Sequence, residues 1–263
     1  MANDDDAPMR RFKPVPALLL IGFLVATALY VFRPGGEEGM VVLGDLLYVA
    51  FAVVATISGF IVARANPPKT LPRIALTLFT LMVAADALAG IVFAYHEIGL
   101  GVRNPFPTIA DGIWILFYVF GILGMLTVTR RLWRFISPWK ILTATAATAG
   151  LLAVTYSSFL RPIAADSGAT LAETVISAMY PVGDILLIGF AFLLFLSLRG
   201  NIFGRPGRTF LLAFVVYAIA DLSYIHKTYL GTYITGDMVD LLWFAGQLLM
   251  AYAFYQQLKT GGK

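Results

Sequence analysis

The sequence contains no cysteine and only two histidines in 263 residues. Without cysteine the chain has no disulfide, no thiolate metal site and no cysteine nucleophile. Charged residues make up only 13% of the chain, about half the share usual in soluble domains, whereas hydrophobic residues make up 59%. The sequence also lacks a phosphate-binding glycine loop, a Gly-x-Ser-x-Gly elbow and a His-Glu-x-x-His helix. We therefore expect a membrane protein that is not an enzyme and that has no metal, cofactor or nucleic-acid partner.

Eight apolar blocks are long enough to cross the ~30 Å of bilayer hydrocarbon as helices. They cover residues 15–32, 40–63, 74–95, 108–129, 141–160, 180–198, 209–229 and 238–258. This pattern predicts an all-α fold, a polytopic membrane helical bundle with its transmembrane domain at 15–258 and tails at 1–14 and 259–263. Because a first helical turn tolerates proline, Pro107 and Pro181 are predicted to open the fourth and sixth spans. Residues 168–179 are then either a short surface helix or a solvated loop.

Basic residues cluster on one side of these spans. Of the 19 lysines and arginines, 15 fall in the two tails or in the connections after even-numbered spans. The positive-inside rule therefore predicts a cytoplasmic (inner) membrane protein with both termini in the cytoplasm. A rival topology remains, because Arg10, Arg11 and Lys13 precede an apolar run with Ala26-Thr27-Ala28, as in a signal peptide. Its removal would leave seven spans.

Each even-numbered span carries an aspartate near its start. In chain order these residues are Asp45, Asp111, Asp184 and Asp240. Three of the four are followed by an aromatic residue three positions later. Among the odd-numbered spans, Ala84-Ala85-Asp86 in the third is matched by Ile219-Ala220-Asp221 in the seventh. The chain is therefore interpreted as four helical hairpin repeats, of which the second and fourth are most alike.

All six of these carboxylates belong to the half of the bundle that is predicted to face outward. The four near helix starts are predicted to lie in the first turn or two, where an aspartate caps N–H groups and is favoured by the helix dipole. Asp86 and Asp221 lie deeper, where a charged aspartate costs at least ~2.5–3.5 kcal/mol. Each is expected to face the bundle interior with a partner, a proton or a water-filled cavity. A purely structural hydrogen bond between helices is the alternative.

The surroundings of the two deep aspartates differ in the sequence. Tyr217 and Tyr224 share a helix face with Asp221 and are predicted to donate hydrogen bonds to it. Asp86 lies among alanines and Gly90, which predicts a packing cleft that a helix or a ligand approaches closely. The predicted ligand- or proton-binding residues are therefore Asp86, Asp221, Tyr217 and Tyr224. The predicted cavity rim is Asp45, Asp111, Asp184 and Asp240.

Two further residue types have simpler interpretations. His96 and His226 are placed at outer helix ends and are interpreted as solvated or interfacial rather than as haem or metal ligands. Lys227 is too close to a helix end to carry a retinal Schiff base.

Three stretches resemble a known family. They are Pro105-Phe106-Pro107-Thr108-Ile109-Ala110-Asp111-Gly112-Ile113-Trp114, Tyr180-Pro181-Val182-Gly183-Asp184-Ile185-Leu186-Leu187 and Asp237-Met238-Val239-Asp240-Leu241-Leu242-Trp243. Together with Tyr217-Ala218-Ile219-Ala220-Asp221, they are similar to the multi-span membrane input regions that precede diguanylate cyclase or histidine kinase domains in bacteria and archaea. The resemblance covers about residues 75–258 and implies an eight-helix sensory module. Such regions normally precede an output domain, and this chain ends at Lys263.

We therefore expect a stand-alone, receptor-like sensory module whose outward-facing acidic cavity binds a cation, an amine or a proton. A structural subunit of a larger membrane complex and a small ion or solute transporter are the alternatives. The expected partners are membrane lipid and either a separate signalling protein or the other subunits of a complex.

Overall fold

The computed structural model describes residues 14–161, 170–197 and 204–261, and every regular element in these ranges is helical. The long helices are α1 (Val15–Phe32), α2 (Gly36–Ala65), α3 (Leu71–Ala94), α4 (Ile109–Leu132), α5 (Pro138–Thr155), α6 (Leu171–Ser197), α7 (Gly204–Tyr229) and α8 (Asp240–Gly261). Short π turns extend α3 over Tyr95–Gly99 and α5 over Tyr156–Leu160, and a 3-10 turn extends α4 over Trp133–Phe135. The chain is therefore an all-helical bundle.

Seven of these helices are long and apolar enough to cross a membrane, namely α1 to α7 with their terminal turns. The predicted eighth span, α8, is also long, and its residues 240–258 include no exposed position. A helix surrounded by other helices does not meet lipid, so it needs less hydropathy than its neighbours. The structure thus supports the bundle class, whereas the crossing of the bilayer by α8 stays a prediction.

Six helices close into a ring. Each of α2, α3, α4, α6, α7 and α8 packs on the next, and α8 returns to α2. The two remaining helices lie outside this ring, where α1 packs along α8 and α5 packs on α6. Consecutive packing therefore holds for the α3–α4, α5–α6 and α7–α8 pairs, whereas α1 packs mainly on the last helix. The organisation into four equal hairpin repeats stays a prediction.

The two halves of the ring differ in character. One half is filled with apolar side chains, including the rings of Phe79, Phe210 and Phe254, which contact one another. The other half contains the buried aspartates. We call it the aspartate end; its described connections are residues 33–35, 100–108 and 230–239.

Two predicted helix starts are wrong. Pro181 lies inside α6, which begins at Leu171, so residues 171–179 are neither a separate surface helix nor a loop. Pro107 precedes α4 by two residues, and Thr108 caps that helix instead. Glu37, Glu38 and Glu173 lie in the first turns of α2 and α6, where the helix dipole favours acidic side chains. Both helices therefore continue past the apolar blocks, and residues 162–169 and the N-terminal tail lie outside the described ranges.

Candidate functional site

A cavity of about 790 Å³, counted with its opening, lies inside the ring at the aspartate end. We call it the central cavity. Its acidic lining residues are Asp45, Asp86, Asp111, Asp221 and Asp240. Its aromatic lining residues are Tyr48, Phe93, Trp114, Phe117, Tyr118, Tyr180, Tyr217, Tyr224, Tyr233, Trp243 and Phe244. No lysine, arginine or histidine is among the described residues that line it. The cavity is therefore acidic and walled by rings.

Asp86 on α3 is 1% exposed and accepts hydrogen bonds from four other helices. Its Oδ1 accepts hydrogen bonds from the hydroxyl of Tyr48 and from Nε1 of Trp114, the latter at 3.2 Å. Its Oδ2 accepts from the hydroxyl of Tyr217 at 2.9 Å and from Nε2 of Gln247 at 3.0 Å. Four donors match the acceptor capacity of an ionised carboxylate. Asp86 thus joins α3 to α2, α4, α7 and α8.

Asp221 on α7 is the second buried centre. It accepts from the hydroxyl of Tyr118 at 2.6 Å and from Nε1 of Trp243 at 2.6 Å. Asp184 on α6 is an electrostatic neighbour of Asp221, and its buried Oδ2 has no hydrogen-bond partner among the described residues. Asp221 thus joins α7 to α4 and α8.

The donors to the two deep aspartates occupy matching positions in α4 and α8. Trp114 and Trp243 each lie three residues after the aspartate near the helix start, and each bonds to the aspartate of the helix before it in the chain. Tyr118 and Gln247 each follow four residues later, and each bonds across the ring to the other deep aspartate. Reciprocal hydrogen bonds therefore tie the α3–α4 pair to the α7–α8 pair.

Asp111 has the predicted role at a helix start. Its Oδ2 accepts from the backbone N–H of Thr108 at 2.7 Å and completes a capping box with that residue. Its Oδ1 accepts from the hydroxyl of Tyr180 on α6 at 2.7 Å. The carboxylate therefore both starts α4 and joins α4 to α6.

Asp240 likewise begins α8. It accepts from the hydroxyl of Tyr30 at 2.9 Å, from the hydroxyl of Tyr233 at 2.8 Å and from the backbone N–H of Gly236 at 2.8 Å. Gly236 has φ +93° and packs against Met40, so a side chain would be strained there. Burial and the neighbouring Asp240 raise the pKa of Tyr233 well above its ordinary value, so its phenol remains a donor at neutral pH.

Asp45 and Asp184 do not lie where the sequence predicted. Because α2 begins at Gly36 and α6 at Leu171, Asp45 falls in the third turn and Asp184 in the fourth. Neither therefore caps a helix start. Asp45 is 5% exposed and lines the central cavity, yet its Oδ2 has no hydrogen-bond partner among the described residues. A buried acceptor without a donor is costly, so this atom is the distinctive feature of the site.

The predicted partners of the deep aspartates need correction. Tyr217 donates to Asp86 on the facing helix and not to Asp221 on its own helix. The hydroxyl of Tyr224 contacts Oδ1 of Asn104 at 3.4 Å and not Asp221. Asp86 itself accepts four hydrogen bonds, and the close approach of a neighbouring helix occurs at Gly90. A Cβ at Gly90 would lie 2.7 Å from Cδ1 of Tyr48, so the small residue admits the tyrosine that bonds to Asp86.

Neither histidine lines the central cavity. His96 bonds to the carbonyl oxygen of Val92 through Nδ1 at 2.8 Å, and exposed His226 lies edge-on to Phe159. Within 14–161, 170–197 and 204–261, no three histidine, aspartate or glutamate side chains are grouped so that they could hold a metal ion.

Sequence reasoning missed eight side-chain donors to the aspartates, which are Tyr30, Tyr48, Trp114, Tyr118, Tyr180, Tyr233, Trp243 and Gln247. Tyrosine and glutamine within apolar blocks were a usable indication, because a polar group at that depth requires a partner. Gln247 is fully buried in the middle of α8.

No protein-family model, curated protein or solved structure matches this chain at a significant level.

Proposed function

We propose that the protein is a receptor-like module of the cytoplasmic membrane whose central cavity faces outward and binds a cation, an amine or a proton. The observation that supports this most strongly is the lining of the cavity. Five aspartates line one cavity, and no basic residue is among the described residues that line it. An acidic cleft with low-dielectric walls concentrates cations.

The proposed orientation rests on the distribution of charge. The aspartate end is formed by the connections that follow odd-numbered helices, and 15 of the 19 basic residues belong to the other end or the tails. On the positive-inside rule the aspartate end therefore faces out. In this proposal all eight helices cross the membrane as four hairpins, with both termini in the cytoplasm.

The proposed signalling step depends on the hydrogen bonds across the ring. A ligand transmits a signal only if it binds one helix arrangement more tightly than another. Asp86 links α3 to four other helices from within the cavity wall, so a change in the cavity bears on their packing. The quoted resemblance to sensory input regions points to the same role, with a separate signalling protein as the partner.

Thermal unfolding of the purified protein, followed by tryptophan fluorescence, tests this function. Wild-type protein should gain stability with some cation, or change in stability across about pH 5–8, because a ligand that binds only the folded state stabilises it. The variant with Asp45→Asn and Asp221→Asn should lose that response. Its control carries Glu38→Gln and Asp237→Asn, which remove two carboxylates outside the cavity lining and should keep the response.

Three results would contradict the proposal. Wild-type protein that responds to neither cations nor pH has no such site. Counterflow of a solute in proteoliposomes would favour a transporter instead. Recovery of a stoichiometric membrane partner, with no stability of the chain without it, would favour a structural subunit.

A further inference from the structure

We propose that the central cavity binds a protonated organic amine, whose ammonium group bonds to Asp45 and Thr235 and whose apolar body packs on the rings of Tyr48 and Trp243. This inference rests on the proposed function, because it assumes that the cavity is a cation site. It names the chemical class of the ligand and the residues that recognise it.

Of the five carboxylates that line the cavity, Asp45 is the one with a buried oxygen to which no described residue donates. Asp86, Asp111, Asp221 and Asp240 each accept at least two hydrogen bonds from other side chains or the backbone. Oδ2 of Asp45 accepts no hydrogen bond from the described residues, although Asp45 is only 5% exposed. Since such an acceptor is costly, a donor from outside the chain is expected there.

Thr235 provides a second unpartnered oxygen in the same cavity. Thr235, in the connection before α8, is 6% exposed, and its Oγ1 has no hydrogen-bond partner among the described residues. Its Cγ2 lies 3.2 Å from the position that a Cβ on Gly44 would occupy, so it contacts the residue next to Asp45. Both residues line the cavity. In the proposed complex, one ammonium group with two or more N–H donors bonds to both oxygens.

The charges around Asp45 also call for a cation. Its strongest electrostatic neighbours are Glu97, in the π turn after α3, and Asp240 at the start of α8. Oε2 of the buried Glu97 is unpartnered as well. Arg33 lies near this end, but its guanidinium bonds to the carbonyl oxygen of Gly236 at 3.1 Å and does not line the cavity. A bound cation would therefore offset acids that form no ion pair with a base in the part of the chain that the structure describes.

The walls favour an organic cation over a metal ion. Tyr48 lies one turn after Asp45, with its ring centroid 6.1 Å from that of Trp243 and 6.2 Å from that of Trp114. Tyr224 adjoins Trp243 at 5.5 Å. Such rings attract ammonium ions through their negative faces and bury an apolar body. Magnesium and calcium instead require several oxygen ligands, and the other cavity carboxylates already accept protein donors.

A primary amine is a better fit than a quaternary one. A quaternary ammonium has no N–H and leaves Asp45 and Thr235 without donors. A neutral molecule of the same shape leaves the carboxylate uncompensated. We therefore expect the cavity to bind a charged primary amine most tightly. A site built to hydrogen-bond a ligand's N–H groups rejects analogues that lack those groups.

Titration of the purified full-length protein, followed by tryptophan fluorescence, tests the inference. The probes are phenethylammonium, its neutral isostere phenethyl alcohol, its trimethylated form and potassium or magnesium ions. Wild-type protein should bind phenethylammonium at least about tenfold more tightly than any other probe. Asp45→Asn should weaken that binding about tenfold or more, and Thr235→Val about fivefold. Glu38→Gln, an exposed carboxylate of the same helix, should leave it unchanged.

The outcomes separate this inference from the proposed function. Equal binding of the amine and the alcohol by wild-type protein overturns the inference, even if Asp45→Asn fails to fold. Unchanged amine binding by folded Asp45→Asn also overturns it. A response to metal ions or to pH alone overturns the inference that the ligand is an amine. It remains consistent with the proposed function as a cation or proton site. No response of wild-type protein to any of these overturns both.

Discussion

Tyr217 lies one turn before Asp221 on α7, yet its hydroxyl donates to Asp86 on α3, at 2.9 Å. The bond crosses the ring and joins the two helices that carry the deep aspartates. It places the tyrosine beside Gln247, which donates to the same Oδ2. The acidic centre is therefore a shared contact between the α3–α4 and α7–α8 pairs and not a local feature of one helix.

Asp86→Asn should destabilise the protein more than any other single amide substitution in the cavity. Four groups now donate hydrogen bonds to Asp86. An asparagine amide has only one acceptor oxygen, and its two N–H groups would face some of these donors. Removing one partner from a buried charged network costs about 3–5 kcal/mol. Thermal unfolding by tryptophan fluorescence measures this, with Glu38→Gln as the control. An unchanged Tm would show that Asp86 does not hold the helices together.

Tyr217→Phe and Tyr224→Phe form a matched pair on one helix face. Tyr217 donates to a buried carboxylate, so losing its hydroxyl should cost about 1.5–3 kcal/mol. The hydroxyl of Tyr224 donates to the uncharged Oδ1 of Asn104 at the long distance of 3.4 Å, so its loss should cost less than about 1 kcal/mol. Urea unfolding of both variants compares them. Equal losses would contradict the crossed hydrogen bond.

The two matched tryptophans should differ in effect. Trp243→Phe leaves Asp221 with Tyr118 as its one remaining hydrogen-bond donor among the described residues. Trp114→Phe leaves Asp86 with three donors. We therefore expect Trp243→Phe to lower the free energy of unfolding about 1–2 kcal/mol further than Trp114→Phe does. The reverse order would argue against the hydrogen-bond assignments.

Gly246→Ala should destabilise the bundle through crowding. A Cβ at Gly246 would lie 2.6 Å from Cδ2 of Tyr217, so the ring that bonds to Asp86 must shift. Overpacking of this kind costs about 1–3 kcal/mol. Gly150 on α5 provides the control because a Cβ there meets nothing within 4 Å, and alanine should stabilise that helix by about 0.5–1 kcal/mol. Two substitutions with the same effect would contradict the close packing.

The sequence alone predicts the helical class of the fold and predicts that all six aspartates lie in one half of the bundle. Apolar length marks each helix, and chain direction alternates between helices, so depth follows from position along the chain. Asp111 and Asp240 were therefore placed correctly near helix starts.

The pairing of side chains could not be predicted in the same way. Helical periodicity shows that Tyr217 and Asp221 share a face, but it does not show which helix that face meets. The ring order brings α7 against α6 and α8 and leaves Tyr217 facing α3 across the interior. The starts of α2 and α6 were missed for a different reason. For α2, the apolar block ends where Glu37 and Glu38 appear, whereas glutamate in a first turn favours the helix. For α6, Pro181 was interpreted as a first-turn proline, although it lies inside the helix.

The most direct test of the account is the chemical accessibility of a cysteine placed in the cavity. The chain has no cysteine of its own, so Thr235→Cys introduces a single thiol into the lining. In sealed cells, a cationic methanethiosulfonate reagent added from outside should modify it at least about tenfold faster than an anionic one. Rates are corrected with Val102→Cys at an exposed position of the same end. Faster reaction of the anionic reagent, or modification only after the membrane is opened, would contradict an outward-facing acidic cavity.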